Sequence, residues 1–387
     1  MFNFLYKTFL HGRHEITASS QKLPFLLNPA SLISLKFISS AANQQSFAVS
    51  YLIISCGLSP ECALNASKYV RFETPEKPDS VIAFLNNHGF SKTQISVVVK
   101  KHPKLLVSDP VKTLLPKFEF CNSKGASRPL LIKLICNCPA ILRMNLESRW
   151  IPIFEILKDL FKSDAKTIFV IISHPRILVQ DPKPYLRPNI YALRENGVPE
   201  SNIAAILYHQ PRVFCTKPDK FREVVEEVKS MGLKPLSFAF VLAVRALSSL
   251  SKMTWKKKIN VYKRWGWSDE DILMAFRRFP PFMICSEDKI TGMMDYFVNV
   301  LGLESAFISK RPELLAYSLK KRIVPRSSVA QVLLLKGLVK ACSLSRFFAC
   351  PEKKFLEKFV YRYQEEAPQL LKLYTDKLDL SRQLQNE

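Results

Sequence analysis

The chain has 387 residues, 48% of them hydrophobic and 23% charged, a balance that excludes an intrinsically disordered protein. Its 57 Lys and Arg outnumber 33 Asp and Glu, giving a net charge of +24 that points to a polyanionic partner, nucleic acid before an anionic membrane surface. The longest apolar stretch, Phe238 to Leu250, is interrupted by Arg245, so the sequence offers no membrane span.

Residues 1–40 carry Lys7, Arg13, Lys22 and Lys36 against one acid, Glu15, and are rich in serine. That is the composition of an organellar transit peptide, expected to lack fixed structure. It suits the mitochondrial matrix, with the chloroplast stroma as the alternative. Residues 41–58 form a lead-in. The nine cysteines are scattered without a C-x-x-C pair. They read as small buried hydrophobes in a reducing compartment.

From residue 59 to residue 350 the chain repeats. Pro103 recurs as Pro139, Pro175 and Pro211, in steps of 36. Three residues after each comes Leu106, Leu142, Leu178 or Phe214, and thirteen after comes Pro116, Pro152, Pro188 or Val224. Glycine follows at Gly125, Gly197 and Gly232. The register continues at Pro281 with Ile284, and at Pro312 with Leu315 and Pro325. Between them one unit lacks its proline, with Ala246 near the expected place. About seven or eight units result.

Each unit can be given a structure. A proline ends a helix, because the residue before it avoids helical dihedrals. "KLLVS" then makes a 3₁₀-like turn, with Pro110 inside it. A new helix starts with Pro116 in its first turn, where a missing N–H costs nothing. Gly125 closes that helix in the left-handed conformation. A second helix begins at a polar cap such as Ser127, or Ser268 with Asp271 in a capping box. Units of about 31–36 residues cannot bury a core singly, so the expected fold is an all-α superhelical solenoid of either hand. Residues 351–387 supply a closing helix and tail.

The segments "HPKLLVSDPVKTLLPKFEF", "HPRILVQDPKPYLRPNIYAL" and "RPELLAYSLKKRIVPRSSV" resemble the mitochondrial transcription termination factor (mTERF) family, in its plant organellar branch. Pentatricopeptide and tetratricopeptide repeats share the period but not the two prolines per unit. The resemblance implies a curved solenoid whose basic groove holds double-stranded DNA or RNA. It implies a role in organellar gene expression: transcription termination or regulation, or alternatively intron splicing or rRNA maturation. A protein-interaction scaffold is the reading from a different class. A monomer is expected, with transcription or RNA-processing factors as further partners.

Two sets of cations are candidates for the phosphate contacts. Residues 241–350 hold 19 Lys or Arg against 8 Asp or Glu. They include Lys252, Lys256, Lys257, Lys258, Lys263 and Arg264, interleaved with Trp255, Tyr262, Trp265 and Trp267. They also include Arg277, Arg278, Lys310, Arg311, Lys320, Lys321, Arg322 and Arg326. The second set, Lys104, Arg176 and Arg212, directly follows three signature prolines. The tryptophans are expected in the core, and His102 and His174 at helix ends. No phosphate-cradling glycine loop, H-E-x-x-H or G-x-S-x-G occurs, so no catalysis, cofactor or metal is expected.

Overall fold

The computed structural model describes residues 47–179, 184–340 and 344–383. The transit-peptide reading falls on residues outside these. Among the described residues the chain is helical throughout, with no strand. No helix among the described residues is long and apolar enough to cross a membrane.

The unit around the first signature proline shows how the chain builds each layer. Ser91 and Gln94 form a capping box at the start of the helix Lys92–Lys101. Pro103 ends that helix. His102 before it takes φ −148° and ψ 71°. Cys138, His174, Gln210, Phe279 and Arg311 stand in the same conformation before their own prolines, with φ between −147° and −132°. A 3₁₀ turn follows in each case. It drives two consecutive apolar side chains inward: Leu105 and Leu106, Ile141 and Leu142, Ile177 and Leu178, Val213 and Phe214, Phe282 and Met283, Leu314 and Leu315. Each side chain so buried contributes about 1.5–3 kcal/mol.

This alignment corrects the register by one residue. The turn in the later unit is Pro280–Ile284, so Pro280 stops the helix and Met283, not Ile284, is the buried residue three positions on. The unit without its proline also behaves as the physics requires. With nothing to stop it, the helix Phe238–Ser249 runs past buried Ala246. Ser251 then caps the helix Lys252–Arg264 directly, with no 3₁₀ turn between them.

A second device was not foreseen. Pro110 lies outside the 3₁₀ turn Pro103–Val107 and opens a widened π turn, Pro110–Leu114, capped by the Asp109 carboxylate. Leu146–Trp150 and Leu319–Ile323 repeat it, capped by Asn145 and Ser318. Each runs into a helix whose first turn holds Pro116, Pro152 or Pro325. A proline there lacks an N–H and its ring clashes with the carbonyl four residues back. The backbone widens to bonds five residues apart, as from Leu115 N–H to the Pro110 carbonyl.

Glycine closes most first helices of a unit; Gly125 has φ +83°, and a Cβ there would meet nothing within 4 Å. Lys162 takes the equivalent place at φ +51°. The cost of a side chain at Gly125 is therefore purely one of backbone conformation. Gly125→Ala is expected to lower stability by about 1–2 kcal/mol in chemical denaturation. Ser127 adopts the cap conformation after Gly125, but its side chain makes no cap hydrogen bond.

The layers share one core from Val49 to Phe348, and a smaller cluster from Val329 to Tyr374 closes the end. The closing segment is not a single helix. It breaks into Glu352–Phe355, a π turn Leu356–Val360, a 3₁₀ turn Tyr361–Tyr363 and the helix Leu370–Gln383, which packs on Val324–Leu335. Most important for function, the 3₁₀ turns stack. Pro103–Val107 packs on Pro139–Arg143, that on Pro175–Leu178, and that on Pro211–Cys215. The helix Phe238–Ser249 bridges from there to Pro280–Ile284, which packs on Pro312–Ala316.

Candidate nucleic-acid interface

Stacking the turns brings cations from distant positions into one row. Lys104, Arg176 and Arg212 each occupy the second position of their turn, and all three are exposed. The turn between the first two has Ala140 at that position. Its cation is Arg143, three residues later and also exposed. In a 3₁₀ helix residues i and i+3 eclipse, so Arg143 stands on the face Ala140 leaves empty. Arg143 and Lys104 border one cleft, and Arg176 acts electrostatically on Cys138 at the foot of the preceding turn. The four side chains make no ion pair or hydrogen bond to another described residue. Sequence reading passed over Arg143 because it breaks the one-after-proline rule; the 3₁₀ period was the available signal. Farther along, the equivalent positions are Pro281 and Glu313, so the cationic row belongs to the N-terminal half.

The basic C-terminal half uses much of its charge internally. A helix leaves its last carbonyls without intrahelical partners, and these attract cations. Arg278 donates to the Lys310 carbonyl at 2.6 Å and Arg277 to that of Met231 at 2.5 Å. Arg322 donates to the carbonyls of Phe348, Ala349 and Cys350 and lies over the Tyr317 ring. Arg326 is fully buried, bound to the Phe347, Phe348 and Cys350 carbonyls and to Glu352. Lys258 is buried and bound to the Cys285 carbonyl, and burial pushes its ammonium below the ordinary lysine value. Arg326 and Lys258 therefore leave the candidate set: neither can reach a phosphate. Lys101 makes the same kind of clasp in the N-terminal half, to the Cys136 carbonyl at 2.7 Å.

The remaining sequence candidates divide. Lys263 pairs with Asp269 at 2.7 Å, and Arg311 lies over the Phe307 ring. Lys252, Lys256, Lys257 and Arg264 are exposed on one helix, and Lys310, Lys320 and Lys321 are exposed elsewhere. The aromatics interleaved with these lysines face inward. Tyr262 and Trp267 are buried and stacked on each other, and Trp255 packs edge-on to Phe276. Trp265 is half-buried against the core.

The mTERF family pattern matches residues 82–247 and 241–356, more than half of the chain. The chain belongs to the mTERF family. One relative is the Arabidopsis thaliana protein described as transcription termination factor MTERF8, chloroplastic. It is 23% identical over 262 residues, covering 67% of this chain and 51% of its own length. Another, from the same plant, is described as transcription termination factor MTERF15, mitochondrial. It is 18% identical over 292 residues, covering 75% of this chain and 57% of its own length. The chain thus spans about half the length of the curated relatives it matches.

Within this mTERF solenoid one of the two histidines at the helix ends, His102, feels the row. His102 and His174 cap their helices through backbone N–H bonds to the Val98 and Val170 carbonyls. The His102 imidazole is held below the ordinary histidine pKa by burial, then by the positive Arg143 and Lys104. Burial and His209 do the same for His174.

The clasps make a separable prediction. Lys258→Ala leaves the Cys285 carbonyl unpaired and is expected to cost about 1–3 kcal/mol of stability. Alanine at exposed Lys256 and Lys257 is expected to stay within about 0.5 kcal/mol. Urea denaturation of the single and double variants distinguishes them. Changing all three lysines together would confuse a folding defect with a binding defect.

Proposed function

We propose that the protein binds organellar nucleic acid along the row of turn cations and acts in organellar gene expression, most directly in the termination or regulation of transcription. The observation that carries this reading is the alignment of Lys104, Arg143, Arg176 and Arg212, four exposed cations without hydrogen-bond or ion-pair partners among the described residues, on four consecutive stacked turns. Cations in such a line neutralise successive phosphates and release counterions without reading sequence. The net charge of +24 and family membership support the same reading. Intron splicing or rRNA maturation would use the same row on RNA. We place the protein in the mitochondrial matrix on the composition of residues 1–40; the chloroplast stroma is the alternative, and a fluorescent fusion distinguishes them.

Salt tests the reading. Affinity for organellar DNA or RNA is expected to fall by about 10³-fold between about 50 and 200 mM salt if about six phosphates are neutralised. Absence of retention of either nucleic acid by micromolar protein at low salt would leave the scaffold reading instead.

A further inference from the structure

At its N-terminal end the cationic row opens into a cleft of about 550 Å³. One wall is a single face of the helix Pro60–Ser67, running from Cys62 to Tyr69 just past its end. The other wall is the end of the helix Lys92–Lys101, the following turn, and Arg143 from the next turn. Lys100, Lys101, Lys104 and Arg143 line it, and no carboxylate does. Lys101 is committed to the Cys136 carbonyl. Lys100 reaches across to Cys62, whose thiol is held below its ordinary pKa by Ser59 and then by Lys100. Lys104 and Arg143 have no hydrogen-bond or ion-pair partner among the described residues and can serve a ligand.

Tyr69 is the unusual member. It is 64% exposed, whereas most aromatics of the central units are packed into the core. An exposed ring beside unpaired cations is the combination by which single strands are held: the ring stacks on a base while the cations take its phosphate. The cleft is within the size range of small-molecule sites, about 300–1,000 Å³, and a nucleotide is such a molecule. A base inside a duplex is paired and stacked and does not present its face to a ring in a cleft.

We propose that this cleft receives one unpaired nucleotide of a single-stranded segment, its base stacked on Tyr69 and its phosphate between Lys104 and Arg143. The inference rests on reading the row as a phosphate track, and adds to that track a preference for nucleic acid with an unpaired end or tail.

The test is equilibrium binding of the full chain to a blunt duplex and to the same duplex with a short unpaired tail, in parallel RNA and DNA arms. Unchanged protein is expected to favour the tailed form by about tenfold in at least one arm. Tyr69→Ala should abolish that preference and leave blunt-duplex affinity unchanged. Tyr69→Phe, which keeps the ring, should retain the preference. Equal affinity for tailed and blunt forms in both arms, or a tail preference that survives Tyr69→Ala, overturns the cleft proposal while leaving the track intact. Failure to bind any of the four probes at low salt removes the track itself.

Discussion

Arg326→Ala is expected to lower stability by about 3–5 kcal/mol, the largest loss from any single substitution considered for this protein. The Arg326 side chain is 0% exposed, inside the end of the solenoid. One terminal guanidinium nitrogen serves the carbonyls of Phe347, Phe348 and Cys350; the other terminal nitrogen holds Glu352 at 2.8 Å. The group also lies over the Phe355 ring, 4.5 Å from its centroid. Removing it strands several polar groups and opens a cavity together. Burial opposes ionisation of Glu352, but hydrogen bonds from Tyr374 and Arg326 outweigh it and hold the carboxyl below its ordinary pKa. Arg326→Lys should not restore stability, since one ammonium cannot reproduce the fork. Because stacked units need not unfold together, hydrogen exchange is the informative readout. Protection should fall around Val324–Leu335 and Leu344–Ala349 while the turn at Pro103–Val107 keeps its own. Uniform loss along the chain would contradict this local role.

The second large effect concerns binding. Alanine at Lys104, Arg143, Arg176 and Arg212 together is expected to weaken nucleic-acid binding about a thousandfold at about 0.1 M salt, and to flatten the dependence of log affinity on log salt by about 3–4. Four phosphate contacts are lost, each contributing about 0.7–0.9 to that slope. All four side chains are exposed and none has a hydrogen-bond or ion-pair partner among the described residues, so the fold should survive, with far-UV circular dichroism unchanged. The contrasting variant replaces Lys252, Lys256, Lys257 and Arg264, four exposed cations on one helix. It removes the same charge and should cost far less, because long-range attraction among exposed charges is screened within about 10 Å.

The repeat was legible because proline acts locally. Pro103, Pro139, Pro175 and Pro211 stop helices by their own covalent geometry, whatever lies around them, and the buried pairs behind them follow at fixed spacing. The three π turns that precede Pro116, Pro152 and Pro325 were not legible, although those prolines were in plain view. A bond pattern shifted by one residue leaves no mark in residue types. The one-residue slip at Pro280 had a similar source: two adjacent prolines offer two registers, and burial of Phe282 and Met283 decides between them.

The candidate site was harder for a physical reason. A lysine's charge is visible in sequence, but the carbonyl that absorbs it is not. The acceptor for Lys258 lies 27 residues away at Cys285, and that for Arg278 lies 32 away at Lys310. Density of charge therefore pointed to the C-terminal half, where several cations hold successive units together. Freedom of charge points to the turns of the N-terminal half. Arg143 was hidden by a period change, since residue spacing on a 3₁₀ turn differs from that on the helices around it.

Crosslinking the folded protein to bound nucleic acid and mapping the modified residues by mass spectrometry tests this account most directly. Modification is predicted along the stacked turns, at or beside Lys104, Arg143, Arg176 and Arg212. Modification confined to the helix Lys252–Arg264 and the turn Leu319–Ile323, with the four turns clean, would contradict it.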